Sequence, residues 1–288
     1  MTPRLSELTA MALPRYRGRV PHGTARLEVD LVAGQSAVTS AWAVSPLKLL
    51  TPRSRGLNVW ACLSSFGGGM VAGDQNTLTI RVGAGARAFV STQSSTKIYR
   101  SRSSQPCTFK LDAMVAPGAV LALVPDAVQC FAGSIYEQRQ EFHLEQDASL
   151  VLVDWVCSGR PARGERWAFT KFKSRTDIFV NSERVLLESL LLDPCENDVS
   201  TMMGRHNCFA LVLVLGAHLN THADETLASV AAEPVARRAS LVVSASSIRH
   251  GALLRIAGER MEDVGAEIPR RLGFLKLVLM DDPWCRKW

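Results

Sequence analysis

The sequence predicts a mainly β fold, built as stacked or wrapped antiparallel sheets, with two α-helices near the C-terminus. Three observations carry this. Strand-like alternation recurs about every ten residues for well over half the chain, the spacing of packed sheets. Helical periodicity is absent from that part and enters only after residue 220. Strands do not alternate with helices, which sets aside a parallel sheet with crossover helices.

The elements follow in order. Residues 1–24 read as a basic N-terminal arm, with four arginines and one acid between Arg4 and Arg19; residues 25–288 read as a single β-rich domain. Ala25 to Val32 alternates, setting Leu27, Val29 and Leu31 against Arg26, Glu28 and Asp30. Further strands are expected at Ala37 to Val44, at Leu57 to Ser65, and through Leu78, Ile80 and Val82. Others follow at Arg87 to Thr92, around Phe109 and Leu111, at Val120 to Val124, Ile135 to Leu144, Leu150 to Cys157 and Thr176 to Val180. Val185 to Leu192 fits strand or helix, and its one charge, Glu188, must face water or find a partner. Phe209 to Leu215 reads as a buried strand, and Leu241 to Ser244 with Leu253 to Ala257 as a last pair. Thr221-x-x-Asp224 has the spacing of a capping box ahead of one helix. Met261, Val264, Ile268 and Leu272 mark a second, with Pro269 expected to kink or end it.

Composition narrows the class. The chain has 288 residues, 47% hydrophobic and 21% charged, which is ordinary for a globular core. The net charge of +6 is spread among interspersed acids and arginines, unlike the clustered stripe and stacking aromatics of a nucleic-acid groove. Seven cysteines without a CxxC pair argue for free thiols in a reducing compartment, hence a cytoplasmic setting. The most apolar run, Cys208 to Leu215, is too short to cross a bilayer, so no membrane partner is expected.

Catalytic and cofactor motifs fail on inspection. Gly68 and Gly73 have P-loop spacing, but Asp74-Gln75 stand where lysine and a hydroxyl are needed, and a strand follows instead of a helix. No G-x-S-x-G is present. His218 and His222 are four apart, but His218 would precede the helix and no third ligand is near. Asp74 and Asp154 leave open a hydrolytic acid pair in a small β-rich hydrolase.

Two blocks have a specific pattern. The first is Gly68-Gly69 through Gly73-Asp74, a threonine-rich strand, then Thr92-Gln93, Thr96-Lys97 and Tyr99-Arg100. The second runs from Asp154 to Gly159-Arg160 and on to Gly164-Glu165. Together with Pro46-Leu47-Lys48-Leu49 they resemble the UreD (UreH) family of urease accessory proteins, over roughly 25–273 and most strongly at 66–101 and 125–188. Ala72 departs from the glycine common in the family. The resemblance implies a β-helix-like stack of antiparallel or mixed sheets with two helices near the C-terminus. It also implies a non-enzymatic urease maturation factor without a tightly bound cofactor, which guides nickel(II) transiently to the urease active site. Its partners would be apo-urease, the F-type accessory protein and, through that protein, the G-type GTPase. Asp74, Asp154 and Glu188 match positions that would line the nickel route. Nickel(II) accepts oxygen ligands, and a conduit must let the ion go, so spaced single carboxylates suit it better than a closed cage.

Overall fold

The computed structural model describes residues 20–286; the basic arm read at Arg4 to Arg19 lies outside them. The chain winds as a β-solenoid of about four turns. Its strands are β1 (Thr24–Val32), β2 (Gln35–Ala43), β3 (Leu47–Leu50), β4 (Val59–Ser65), β5 (Gly69–Met70), β6 (Gln75–Val82), β7 (Arg87–Thr92), β8 (Thr96–Ile98) and β9 (Cys107–Val115). They continue as β10 (Val120–Leu123), β11 (Val128–Cys130), β12 (Ile135–Leu144), β13 (Ser149–Cys157), β14 (Lys171–Val180), β15 (Glu183–Leu192), β16 (Cys208–Gly216), β17 (Leu241–Ile248) and β18 (Gly251–Gly258). Helices are α1 (Val199–Met203), α2 (Asn220–Ala232), α3 (Met261–Arg271) and α4 (Leu275–Val278).

Two sheets face each other. One is seven-stranded, in the order β15-β14-β12-β9-β6-β1-β2; the other has eleven strands and runs β17-β18-β16-β13-β10-β7-β4-β3, with β5, β8 and β11 beside that path. The sheets are mixed, one of the forms the family resemblance implied, and parallel at their centre where strand spacing alone suggested antiparallel pairing. β1-β6-β9-β12-β14 and β4-β7-β10-β13 are parallel throughout, and antiparallel pairs are confined to the flanks. The coil explains this: each strand pairs with the strand one turn later, so parallel order arises without crossover helices. Val59, Ala88, Leu121 and Leu150 accordingly stack in one column.

The inward faces alternate as strands require. Leu27, Ile80, Ala113, Phe142 and Ile178 share one rung and are fully buried. Three apolar clusters result. The largest fills the solenoid between the sheets. A second lies on the outer face of the larger sheet under α2, α3 and α4. The third gathers Met70, Ile98, Tyr136, Trp167 and Phe172 on the β5-β8-β11 side.

Local details differ from expectation at the helices. α2 starts at Asn220 with no side-chain cap, because the 3-10 turn Ala217–Leu219 runs straight into it and puts Thr221 inside the first turn. Pro269 sits in the last turn of α3, which ends two residues later. The segment left open between strand and helix is β15, antiparallel to β14. α2 and α3 are clamped together: Arg271 donates to Glu267 at 2.7 Å and to Ser229 at 2.9 Å, while Arg270 donates to Glu267 at 2.7 Å and Glu233 at 3.0 Å.

Candidate functional site

The interior of the solenoid is not uniformly apolar. Two adjoining rungs of the smaller sheet bring Gln138 beside Ser174, and Gln140 beside Thr176 and then Glu188. All but Glu188 are buried. Across the core, one inward row of the larger sheet reads Asp154, Leu211, Arg255. A polar band therefore crosses between the apolar layers.

Buried amides and carboxylates are costly unless hydrogen-bonded, and this band satisfies its members. The Tyr136 hydroxyl donates to Gln138 Oε1 at 2.9 Å. Gln138 Nε2 donates to both Asp154 oxygens at 3.0 Å, and Ser174 Oγ donates to Asp154 Oδ2 at 2.9 Å. Burial pushes the Asp154 carboxyl above the usual range, and the bonds from Gln138, Ser174 and Gln140 hold that rise back.

The band borders a string of voids. A cavity of about 110 Å³ is lined by Asn76, Thr92, Asp126, Gln138, Gln140 and Asp154, among others. That is room for a few water molecules, at roughly 30 Å³ each. A smaller one of about 20 Å³ lies beyond, bordered by Asp154, Ser174, Thr176 and Glu188. Asp154 is common to both, so its accessible surface faces internal space even though it sits deep in the body. On the outer side, a groove of about 1080 Å³ runs between the larger sheet and the Ile268-Pro269 turn of α3, with Trp284 closing it. Thr92, Pro125, Asp126 and Trp155 line groove and inner cavity alike. Thr92 Oγ1 donates to Asp126 Oδ2 at 3.2 Å, and Asp126 N donates to Thr92 Oγ1 at 2.7 Å, fixing that carboxylate at the junction.

At the other end Glu188 meets Arg255, whose Nη2 lies 3.1 and 3.3 Å from the carboxylate oxygens. The pair joins the two sheets and supplies the partner that the lone acid in an apolar run required.

The sequence-predicted site residues thus separate. Asp154 and Glu188 border one cavity. Asp74 borders neither inner void; its Oδ2 accepts the Val71 N–H at 2.9 Å and closes its own turn. Asp74 and Asp154 therefore share no cavity in which a hydrolytic pair could work. His218 is exposed, and His222 bonds Glu225 at 3.1 Å and stacks on Phe274. Among the described residues, no group of three or more His, Cys, Asp or Glu side chains is placed to hold a metal ion.

The two sequence blocks meet at one end of the solenoid. Gly69 pairs with Lys97, and the Tyr99 hydroxyl donates to the Gly67 carbonyl at 3.3 Å. The Tyr99 ring packs edge-on against Phe131, and the Arg160 guanidinium lies 4.1 Å from the Phe131 ring centre. Arg160 is held by Glu165 through Nε at 2.9 Å, which keeps the Glu165 carboxyl below its ordinary range. Thr96 lines the inner cavity, Gly68 borders it, and Gly73 donates to Pro106 O at 3.3 Å. Gly159 passes within 2.9 Å of the Cys130 carbonyl at its Cβ position, so no side chain fits there.

Sequence reasoning missed Gln138, Gln140, Ser174, Thr176, Arg255 and Asp126. A signal was available for the first two: Gln138 and Gln140 have the same parity along the strand as Phe142 and Leu144.

Comparison with known proteins agrees with this architecture. The family model of the UreD urease accessory proteins matches residues 21–287. The chain is 45% identical over 269 residues to the urease accessory protein UreD of Sorangium cellulosum (strain So ce56), covering 92% of this chain and 84% of that protein. It is 40% identical over 274 residues to UreD of Anaeromyxobacter sp. (strain Fw109-5), covering 95% and 92%. Urease accessory protein D of Oryza sativa subsp. indica is 37% identical over 207 residues, covering 70% and 68%. With one family pattern spanning nearly the whole described solenoid, this chain belongs to the UreD family of urease accessory proteins.

Proposed function

We propose that this chain is a non-catalytic urease maturation factor. In this reading it is a cytoplasmic scaffold that binds apo-urease and the F-type accessory protein, contacts the G-type GTPase through the latter, and guides nickel(II) toward the urease active site. One observation carries the nickel reading: a buried carboxylate, Asp154, borders two successive internal cavities within a polar band that ends at Glu188. A cation crossing an apolar solenoid needs such a charge, because desolvating an ion without compensation is prohibitive. Asp154 is held by the neutral donors Gln138 and Ser174, and a cation arriving beside it would favour the ionised carboxylate that burial disfavours. Single acids spaced along the band favour passage over capture, because no closed ligand set forms around the ion.

Asp74 enters this reading differently, as the acid that shapes the glycine turn at one end of the solenoid. GTP dependence of maturation is assigned to the G-type partner, since the glycine turn leads into β6 and offers no helix N-terminus for phosphate.

The test compares Asp154→Asn, Glu188→Gln and Asp74→Asn, which keep volume and remove charge. Nickel per urease active site is measured and normalised to intact complex recovered. The expected result is a persistent deficit for Asp154→Asn and Glu188→Gln, deepest in the double variant. A deficit that disappears on normalisation would mean that the carboxylates only hold the structure together.

A further inference from the structure

We infer that the end of the solenoid where the two sequence blocks meet is a docking surface for an acidic partner protein with an apolar depression that receives Phe66. The inference rests on the maturation-scaffold reading and adds which face is used and what chemistry recognises it.

Four segments build the face: residues 66–74, 96–106, 131–133 and 160–165. Backbone bonds tie them together. Tyr99 N donates to Met70 O at 2.9 Å, Ser101 N to Gly133 O at 3.0 Å and Gly73 N to Pro106 O at 3.3 Å. The aliphatic stem of Arg100 lies over Gly133, which has no side chain to obstruct it.

The charge on this face is unbalanced. Its cations are Lys97, Arg100, Arg102, Arg160 and Arg163; its only acids are Asp74 and Glu165. Glu165 is bound to Arg160, and Asp74 is bonded to the Val71 N–H. Lys97, Arg100 and Arg102 form no ion pair with any carboxylate among the described residues, while Arg163 acts with Arg160 on Glu165. Elsewhere on the protein many arginines are paired, as at Arg175–Asp177, Arg205–Glu259 and Arg270–Glu233, and others bond backbone carbonyls, as Arg87 does to Val278 O. Clustered cations left unpaired on one face repel each other, and an incoming acidic surface relieves that repulsion and steers association.

The apolar content separates a protein partner from other anions. Phe66 is 62% exposed and Val71 54%, at either side of the three consecutive glycines. An exposed aromatic among cations is the composition of a protein interface centre. A nucleic-acid surface would want several stacking rings along a cationic groove and no carboxylates among them, whereas Asp74 and Glu165 stand within this face. Beneath it, the Tyr99–Phe131–Arg160–Glu165 chain of ring and ion contacts holds the segments in place, so the surface is preformed.

The experiment uses the full-length tagged chain with apo-urease and with the F-type accessory protein as separate binding partners. Three proteins are compared with wild type: Lys97→Glu/Arg100→Glu, Phe66→Ser, and the conservative Lys97→Arg/Arg100→Lys. Affinity of wild type for one of the two partners should fall with added salt, as charge-led association does. The charge-reversed and Phe66→Ser proteins should bind that partner roughly tenfold or more weakly, the reversed one with little salt dependence, and the conservative variant should bind like wild type. Unchanged melting temperatures identify the loss as one of recognition. Binding of both partners retained in both disruptive variants overturns the surface assignment while leaving the scaffold reading intact. A wild-type chain that binds neither partner overturns the scaffold reading and this one with it. Saturable binding of a single-stranded RNA probe, abolished by the same variants while both protein partners still bind, assigns the face to nucleic acid and also overturns it.

Discussion

Gln138 donates its amide to both oxygens of the Asp154 carboxylate, 3.0 Å away on each side, from the facing wall of the solenoid. A neutral donor stabilises the anion less than a cation would, so burial prevails and the folded carboxyl stays above its unfolded value. The sign of the pH dependence follows. Stability linked to Asp154 is greatest below the unfolded value of about 4 and declines as pH rises through the window up to the folded one. Asp154→Asn should therefore melt below or level with wild type near the acid end and gain on it as pH rises. Thermal melts of both proteins across that window check this. A difference that stays flat with pH would contradict the raised carboxyl.

Arg255 neutralises Glu188 at the end of the polar band. Replacing it by methionine keeps an apolar stem and frees the acid. Arg255→Met should hold nickel longer and hand it on less: more metal in the purified chain, less per urease active site. A variant with unaltered nickel content and only a lower melting temperature would make the pair a structural tie.

Gly69 tests how tightly the glycine turn is built. A Cβ there would lie 2.3 Å from the Lys97 carbonyl oxygen and 2.8 Å from the Tyr99 ring. Gly69→Ala should cost about 1–3 kcal/mol, as overpacking does. Gly68→Ala meets nothing within 4 Å, so only its φ of +68° carries a penalty, about 1 kcal/mol, and it is the milder change. Denaturant melts should rank the two in that order.

Glu267 and Arg271 are both buried and bonded to each other between α2 and α3. Glu267→Ala strands the guanidinium with only Glu233 and Ser229 for partners, and should cost about 3–5 kcal/mol. Burial works against the Glu267 charge but Arg270 and Arg271 more than offset it, holding the carboxyl below its ordinary range. The stability this contributes is present above the unfolded value near 4 and is lost as pH falls through the folded one. Wild type and Glu267→Ala should therefore converge in melting temperature on acidification.

Much of the strand content was legible because alternation survives any pairing partner. Leu78, Ile80 and Val82 face inward whether the neighbour runs parallel or antiparallel. Strand direction was not legible for the same reason: period two carries no information on orientation, and the partner of Leu78 is Leu111, one full coil away. Of the site, Asp154 stood out through its block and Glu188 as the lone charge in an apolar run. Gln140 and Thr176 did not, since a polar residue on an alternating strand reads as solvent-facing until the parity of its neighbours is followed. Arg255 was hidden likewise between Leu253 and Ala257, on the inward parity of β18. Asp126 could not be found, because its place depends on how one coil stacks on the next.

The order of the coils along the chain sets when the polar band comes into being. Gln138 and Asp154, on its two facing walls, leave the ribosome well ahead of Arg255, which stands on β18, second in the order of the larger sheet. Until β16 pairs onto β13, and β18 onto β16, one flank of Asp154 lacks its neighbouring strands. These strands arrive from far along the chain, and pairing over such sequence distances is slow, so a nascent chain exposes that flank for an extended time. A chain arrested before Gly251 would carry every acid of the proposed route and still lack a route, since β18, which bears the Arg255 partner of Glu188, is missing.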